Sequence, residues 1–94
     1  MTIYEEQIFS QAKQVFGKEH QIIVAIEELS ELQKELTKFL RGQENYKGIS
    51  EEIADAEIVI DQLKLIFGNQ KQVDEYRQFK VDRLLKKIIG EQKK

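Results

Sequence analysis

The chain contains no cysteine and no proline, and it has a single histidine, His20. Without cysteine there is no disulfide framework, no zinc–thiolate site and no thiol nucleophile. One histidine excludes the two- and three-histidine zinc sites within a single chain. Any metal site must be built from oxygen ligands, which favours Mg²⁺, Mn²⁺ or Ca²⁺. Long apolar runs are missing too: none approaches the roughly 20 residues of a membrane span, and Met1–Ser10 lacks a secretory apolar core. There is no excess of positive charge either. The formal net charge is −2, and the basic residues gather only toward the last helix and tail, so a nucleic-acid footprint is absent. The expectation is a cytoplasmic protein with neither membrane nor nucleic acid as partner.

What is present fits one domain spanning residues 1–94, with 40% apolar and 34% charged residues. With no proline to punctuate the chain, glycine does so. Gly17, Gly42, Gly48, Gly68 and Gly90 each stand where an apolar 3.6-residue period stops or restarts. Four helices are predicted. The first runs from about Thr2 to Phe16, and the second from about Glu19 to Arg41 with Ile22, Ala25, Ile26, Leu29, Leu32, Leu36 and Leu40 on its stripe. The third follows Ser50 as N-cap, with Glu51 and Glu52 in its first turn, and the fourth follows Asn69. Gly42–Gly48 reads as the one real loop. Strand signals are lacking, since the β-branched residues follow helical spacing and no Asn-Gly or Asp-Gly hairpin occurs. The fold class is all-α.

Ile58, Ile60 and Leu65 give the third helix apolar residues on more than one side. A chain of this length has little interior in which to hide such a helix, so part of this surface is expected to pack against another copy. A monomeric bundle covered by its own first and fourth helices is the alternative. The phenylalanines Phe9, Phe16, Phe39, Phe67 and Phe79 read as core.

Two acidic pairs at i, i+3 spacing stand out, Glu28/Glu31 and Glu52/Asp55. With 17 acids in 94 residues, chance alone places about three such pairs, so placement matters more than spacing. Glu28 lies between Ala25 and Leu32 and continues an apolar stripe; Glu52 and Asp55 lead into Ala56, Val59, Leu63 and Ile66. Acids that interrupt a core-facing stripe are costly unless a cation neutralises them. Inward glutamates in helical bundles hold divalent metals. The alternative is that Glu51 and Glu52 favour the helix dipole while Glu28 and Glu31 flank the stripe and reach water.

Glu27-Glu28-Leu29-Ser30-Glu31, followed after twenty residues by Glu52-Ile53-Ala54-Asp55, resembles the EExxE…ExxD signature of MazG-like all-α nucleoside triphosphate pyrophosphohydrolases. The likeness extends from about Gln7 to Ile88 and is nearest to the short members of phages and prophages. It implies a four-helix MazG-like bundle completed by oligomerisation, as a homodimer or homotetramer. It also implies Mg²⁺-dependent hydrolysis, with Mn²⁺ as a possible substitute, of a nucleoside triphosphate to monophosphate and pyrophosphate. Carried over residue by residue, Glu28, Glu31, Glu52 and Asp55 would be the metal ligands and catalytic carboxylates. Gln21, two turns before Glu28 on the same face, is a candidate for base or sugar contact, and Lys80 and Arg83 for phosphate. Many members follow that lysine with an asparagine and a tyrosine, where Asp82 and Arg83 stand here. A solvated basic face is the plainer reading of Lys80 and Arg83. For the whole chain, the alternative is a non-catalytic helical dimerisation module on the same scaffold.

Overall fold

The computed structural model describes residues 1–94 as four helices and no strand: α1 (Ile3–Phe16), α2 (Lys18–Leu40), α3 (Tyr46–Phe67) and α4 (Gln70–Gln92). The all-α expectation holds. Thr2 begins α1 with a capping box. Its Oγ1 accepts from the Glu5 amide at 3.0 Å, and the Glu5 carboxylate accepts from the Thr2 amide at 2.7 Å, so two otherwise orphaned donors are paired. Gly17 alone joins α1 to α2, at a φ of 88° that disfavours any side chain. Gly68 ends α3 in the left-handed conformation, its amide donating to the Lys64 carbonyl.

The boundaries of α3 correct the sequence expectation. The helix begins at Tyr46, not after Ser50, and the Ser50 hydroxyl donates to the Tyr46 carbonyl from inside it. Ser50 is therefore no cap, and Glu51 and Glu52 lie beyond the first turn, where the helix dipole offers them little. The loop shrinks to residues 41–45. Gly48 is helical, and its role is close approach: a Cβ there would lie 3.0 Å from Glu35 Oε2. Gly90 likewise lies inside α4, which runs on to Gln92.

The antiparallel pair α2–α3 is the centre of the molecule, with α1 laid across both. The buried apolar residues are Phe9, Ala25, Ala56, Val59 and Ile66. Ala25 and Ala56 fall at the same level of the α2–α3 pair, and their small side chains let the two helices approach closely. With so few fully buried residues, each matters. Ile66→Ala is expected to lower the unfolding free energy by about 3 kcal/mol, read from the midpoint of urea denaturation at unchanged slope.

The fourth helix behaves differently. It meets only α3, and none of its residues is buried. The Cα radius of gyration is 16.6 Å, where a compact chain of this length would give about 12 Å. Of the five phenylalanines expected in the core only Phe9 is buried; Phe16, Phe39, Phe67 and Phe79 are exposed, the first three touched by His20, Tyr46 and Lys18 respectively. No helix is long and apolar enough to cross a membrane.

Candidate metal centre

Where the acids meet is decided by the register of the α2–α3 hairpin. Asn45, the residue before α3, donates from Nδ2 to the Glu35 backbone carbonyl at 2.8 Å and to Glu35 Oε2 at 2.5 Å. Glu35 of α2 is thus level with the start of α3. Seven residues forward from Asn45 lies Glu52, and seven back from Glu35 lies Glu28. Two turns along each helix restore nearly the same face, so Glu28 and Glu52 confront one another. Because α3 starts below the tip of α2, acids at unequal depths from their helix ends come level.

Carboxylate oxygens of Glu28, Glu52 and Asp55 lie within 4.8 Å of one another. Oxygen ligands held at 2.0–2.6 Å from one divalent ion are at most about 4–5 Å apart, the scale of this cluster. Glu28 and Glu52 are half-buried. Burial is the main cause that raises the pKa of Glu28, reinforced by the negative charges of Asp55, Glu31 and Glu27. Burial also leads for Glu52, followed by the charges of Asp55, Glu28, Glu31 and Glu35. Glu52 Oε2 is buried with no hydrogen-bond partner. The ion pairs of the molecule are Lys38–Glu35, Lys64–Asp61 and Lys94–Glu91, and none serves the cluster. Three converging acids with an orphaned buried oxygen and no cationic side chain fit a hard divalent cation.

Glu31 is exposed at the edge of this group. Its charge reaches Glu28 and Glu52, but its carboxylate is not among the three that converge. Gln21 is buried, with Oε1 unpartnered. It lines a separate cavity of about 190 Å³ together with Ala12, Phe16, His20, Val24 and Gln62. The Phe16 and His20 rings lie 5.7 Å apart at its rim. Lys80 and Arg83 are exposed on α4, which touches neither α1 nor α2. Within one chain they do not join the carboxylates.

Sequence reasoning missed the contact of Asn45 and Gly48 with Glu35 across the α2–α3 pair. A signal was present: Tyr46, Ile49, Ile53 and Ala56 continue the helical period of α3 backward through the supposed loop.

Comparison with known proteins gives no relative: no family model, no curated protein and no solved structure matches this chain.

Proposed function

We propose that this protein is a Mg²⁺-dependent nucleoside triphosphate pyrophosphohydrolase of the MazG-like kind, converting a (d)NTP to the monophosphate and pyrophosphate. The observation that carries the reading is the convergence of Glu28, Glu52 and Asp55 from two helices around an unpartnered buried oxygen. Bound there, Mg²⁺ (or Mn²⁺) neutralises phosphate charge and makes a nearby water more acidic. The chain's residues do the rest. Glu28, Glu52 and Asp55 fix the cation between α2 and α3, and Glu31, at the exposed edge, is the fourth carboxylate on the side where a polyphosphate enters. Water adds to the α-phosphorus as the bond to the bridging oxygen breaks, so pyrophosphate leaves and the water's proton passes to a carboxylate or to solvent. Gln21, two turns from Glu28 and lining a separate cavity, is the candidate for contact with a base or ribose.

The assembly in this reading is a homodimer or homotetramer, which covers the exposed apolar residues of α4. It also gives Lys80 and Arg83 a route to phosphates held by another copy. A second reading, a non-catalytic dimerisation module, draws on the same uncovered face of α4.

An assay against the eight common NTPs and dNTPs with Mg²⁺, reading pyrophosphate and orthophosphate separately, tests the proposal. Pyrophosphate from at least one nucleotide, abolished by EDTA, is the expected result. Orthophosphate alone would assign the wrong bond. Absence of turnover together with a thermal midpoint indifferent to Mg²⁺ would leave the dimerisation module.

A further inference from the structure

We infer that Asn45 is a positioning residue for the carboxylate cluster: its clamp on Glu35 fixes the register at which α3 presents Glu52 and Asp55 to Glu28. This rests on reading the cluster as a metal centre, although Asn45 belongs to no part of it. Five residues, 41–45, join α2 to α3. Displacing α3 by one residue moves Glu52 by about 1.5 Å along the axis and about 100° around it, which removes it from Glu28 altogether. The buried face of α3, Ala56, Val59 and Ile66, opposes a rotation of that size, and the Asn45 clamp acts in the same sense from the loop end of the pair.

The clamp is built from both sides of the hairpin. One amide nitrogen engages both the backbone carbonyl and the carboxylate of Glu35. Gly48, one turn into α3, leaves room for that carboxylate, which a Cβ would crowd at 3.0 Å. Lys38 holds the other oxygen of Glu35 at 3.4 Å. Hydrogen bonding from Asn45, then from Lys38, keeps the Glu35 carboxyl below its ordinary range, so Glu35 is an ionised anchor. Asn45 caps nothing: its Oδ1, the atom that would accept from the first amides of α3, has no partner, while its Nδ2 is turned to α2. Two turns away the consequence is the meeting of Glu28 with Glu52.

The test compares the full-length protein with Asn45→Ala, Asn45→Asp, and the exchanged pair Glu35→Gln with Asn45→Asp, which restores an amide–carboxylate contact in the opposite sense. Mn²⁺ affinity is read by electron paramagnetic resonance at a temperature where circular dichroism reports each variant folded. Because the chain has no cysteine, spin labels at Gln33→Cys and Glu51→Cys, both exposed, report the α2–α3 distance without metal. Loss of a residue that orients metal ligands typically weakens affinity 10- to 100-fold. Asn45→Ala is expected to weaken Mn²⁺ about tenfold, Asn45→Asp more, and the exchanged pair to recover part of the loss, since it restores the side-chain contact but leaves the backbone carbonyl at position 35 without its donor. The label distance should shift or broaden in both single variants and return in the exchanged pair. A folded Asn45→Ala or Asn45→Asp with unchanged distance and Mn²⁺ affinity overturns the inference, even if its thermal midpoint falls. If the single variants fail to fold, Asn45→Gln, which displaces the amide by one methylene, is read in their place, and a folded Asn45→Gln with unchanged distance and Mn²⁺ affinity overturns the inference equally. Failure of the unsubstituted protein to bind Mn²⁺ is a different result: it removes the metal centre, while the label distance still decides whether Asn45 sets the register.

Discussion

Glu52→Gln is expected to do two opposite things: reduce pyrophosphate release about 100-fold or more, and raise the thermal midpoint of the metal-free protein at pH 7. Both follow from the same carboxylate. In the proposed metal centre Glu52 is one of the three converging carboxylates, and a neutral amide is a poor replacement for a hard cation's oxyanion. Without metal, the charge at position 52 is half-buried and faces Asp55 and Glu28, so removing it relieves desolvation and repulsion together. Mg²⁺ separates the two states further. At about ten times its Kd a native-state ligand adds about 1.4 kcal/mol to stability, a gain expected for the unsubstituted protein and absent in Glu52→Gln. A dimerisation module would gain stability from Glu52→Gln but show neither the Mg²⁺ response nor a loss of function.

Proton linkage gives this prediction its pH dependence. Glu28 and Glu52 have raised pKa values, so above the ordinary glutamate range the folded chain retains protons that the unfolded chain has lost. Their favourable contribution is complete at low pH and disappears as pH rises through the raised values. Glu5 and Glu35 have lowered values, from hydrogen bonds with Thr2 and Asn45 respectively, so their contribution is present at neutral pH and lost on acidification. The metal-free protein is expected to decline in stability from about pH 5 toward neutrality. Glu52→Gln should flatten that decline, and saturating Mg²⁺ should reverse it, as measured by thermal melts across pH.

How much of this was legible in the sequence depends on the range of the interaction. The apolar period is local, and it revealed four helices because each stripe is written within its own segment. The acidic pairs were visible as well, since Glu28 interrupts a stripe and Asp55 directly precedes Ala56. The register was hidden. It depends on Asn45 reaching ten residues back to Glu35, a contact between two polar residues that no period marks. Gly48 misled for a related reason. A glycine that ends a helix and one that admits a neighbouring side chain look alike until the neighbour is known, and here the neighbour is Glu35. The position of α4 was equally invisible. Its sequence carries apolar residues at helical spacing like the others, yet nothing in it says whether the surface they seek belongs to this chain.

That last question leads to the other large effect: Leu85→Asp combined with Ile89→Asp is expected to dissociate the assembled protein into monomers and to remove most of the helical signal of α4. On α4, Tyr76 is 66% exposed, Phe79 64%, Leu84 55% and Leu85 56%, with Val81, Ile88 and Ile89 exposed as well. Full burial of such a side chain is worth roughly 1.5–3 kcal/mol, so leaving all of them in water forgoes a large stabilisation that a second copy can supply. The helix itself also needs that support. Isolated helices are marginal in water because nucleation is costly, and most helical stability in proteins comes from packing of an apolar face. For a 23-residue helix that meets only α3 and buries nothing, the proposed assembly would supply that packing. Sedimentation equilibrium should find a dimer or tetramer for the unsubstituted protein and a monomer for the double variant. Circular dichroism should lose roughly the share contributed by α4, while α1–α3, whose core is Phe9, Ala25, Ala56, Val59 and Ile66, stay folded. Ile66→Ala acts on that inner core at any protein concentration, whereas the α4 substitutions act through association and so depend on concentration. A monomeric unsubstituted protein whose α4 amides nonetheless resist hydrogen exchange would show that the helix needs no partner, and the assembly would have to be abandoned.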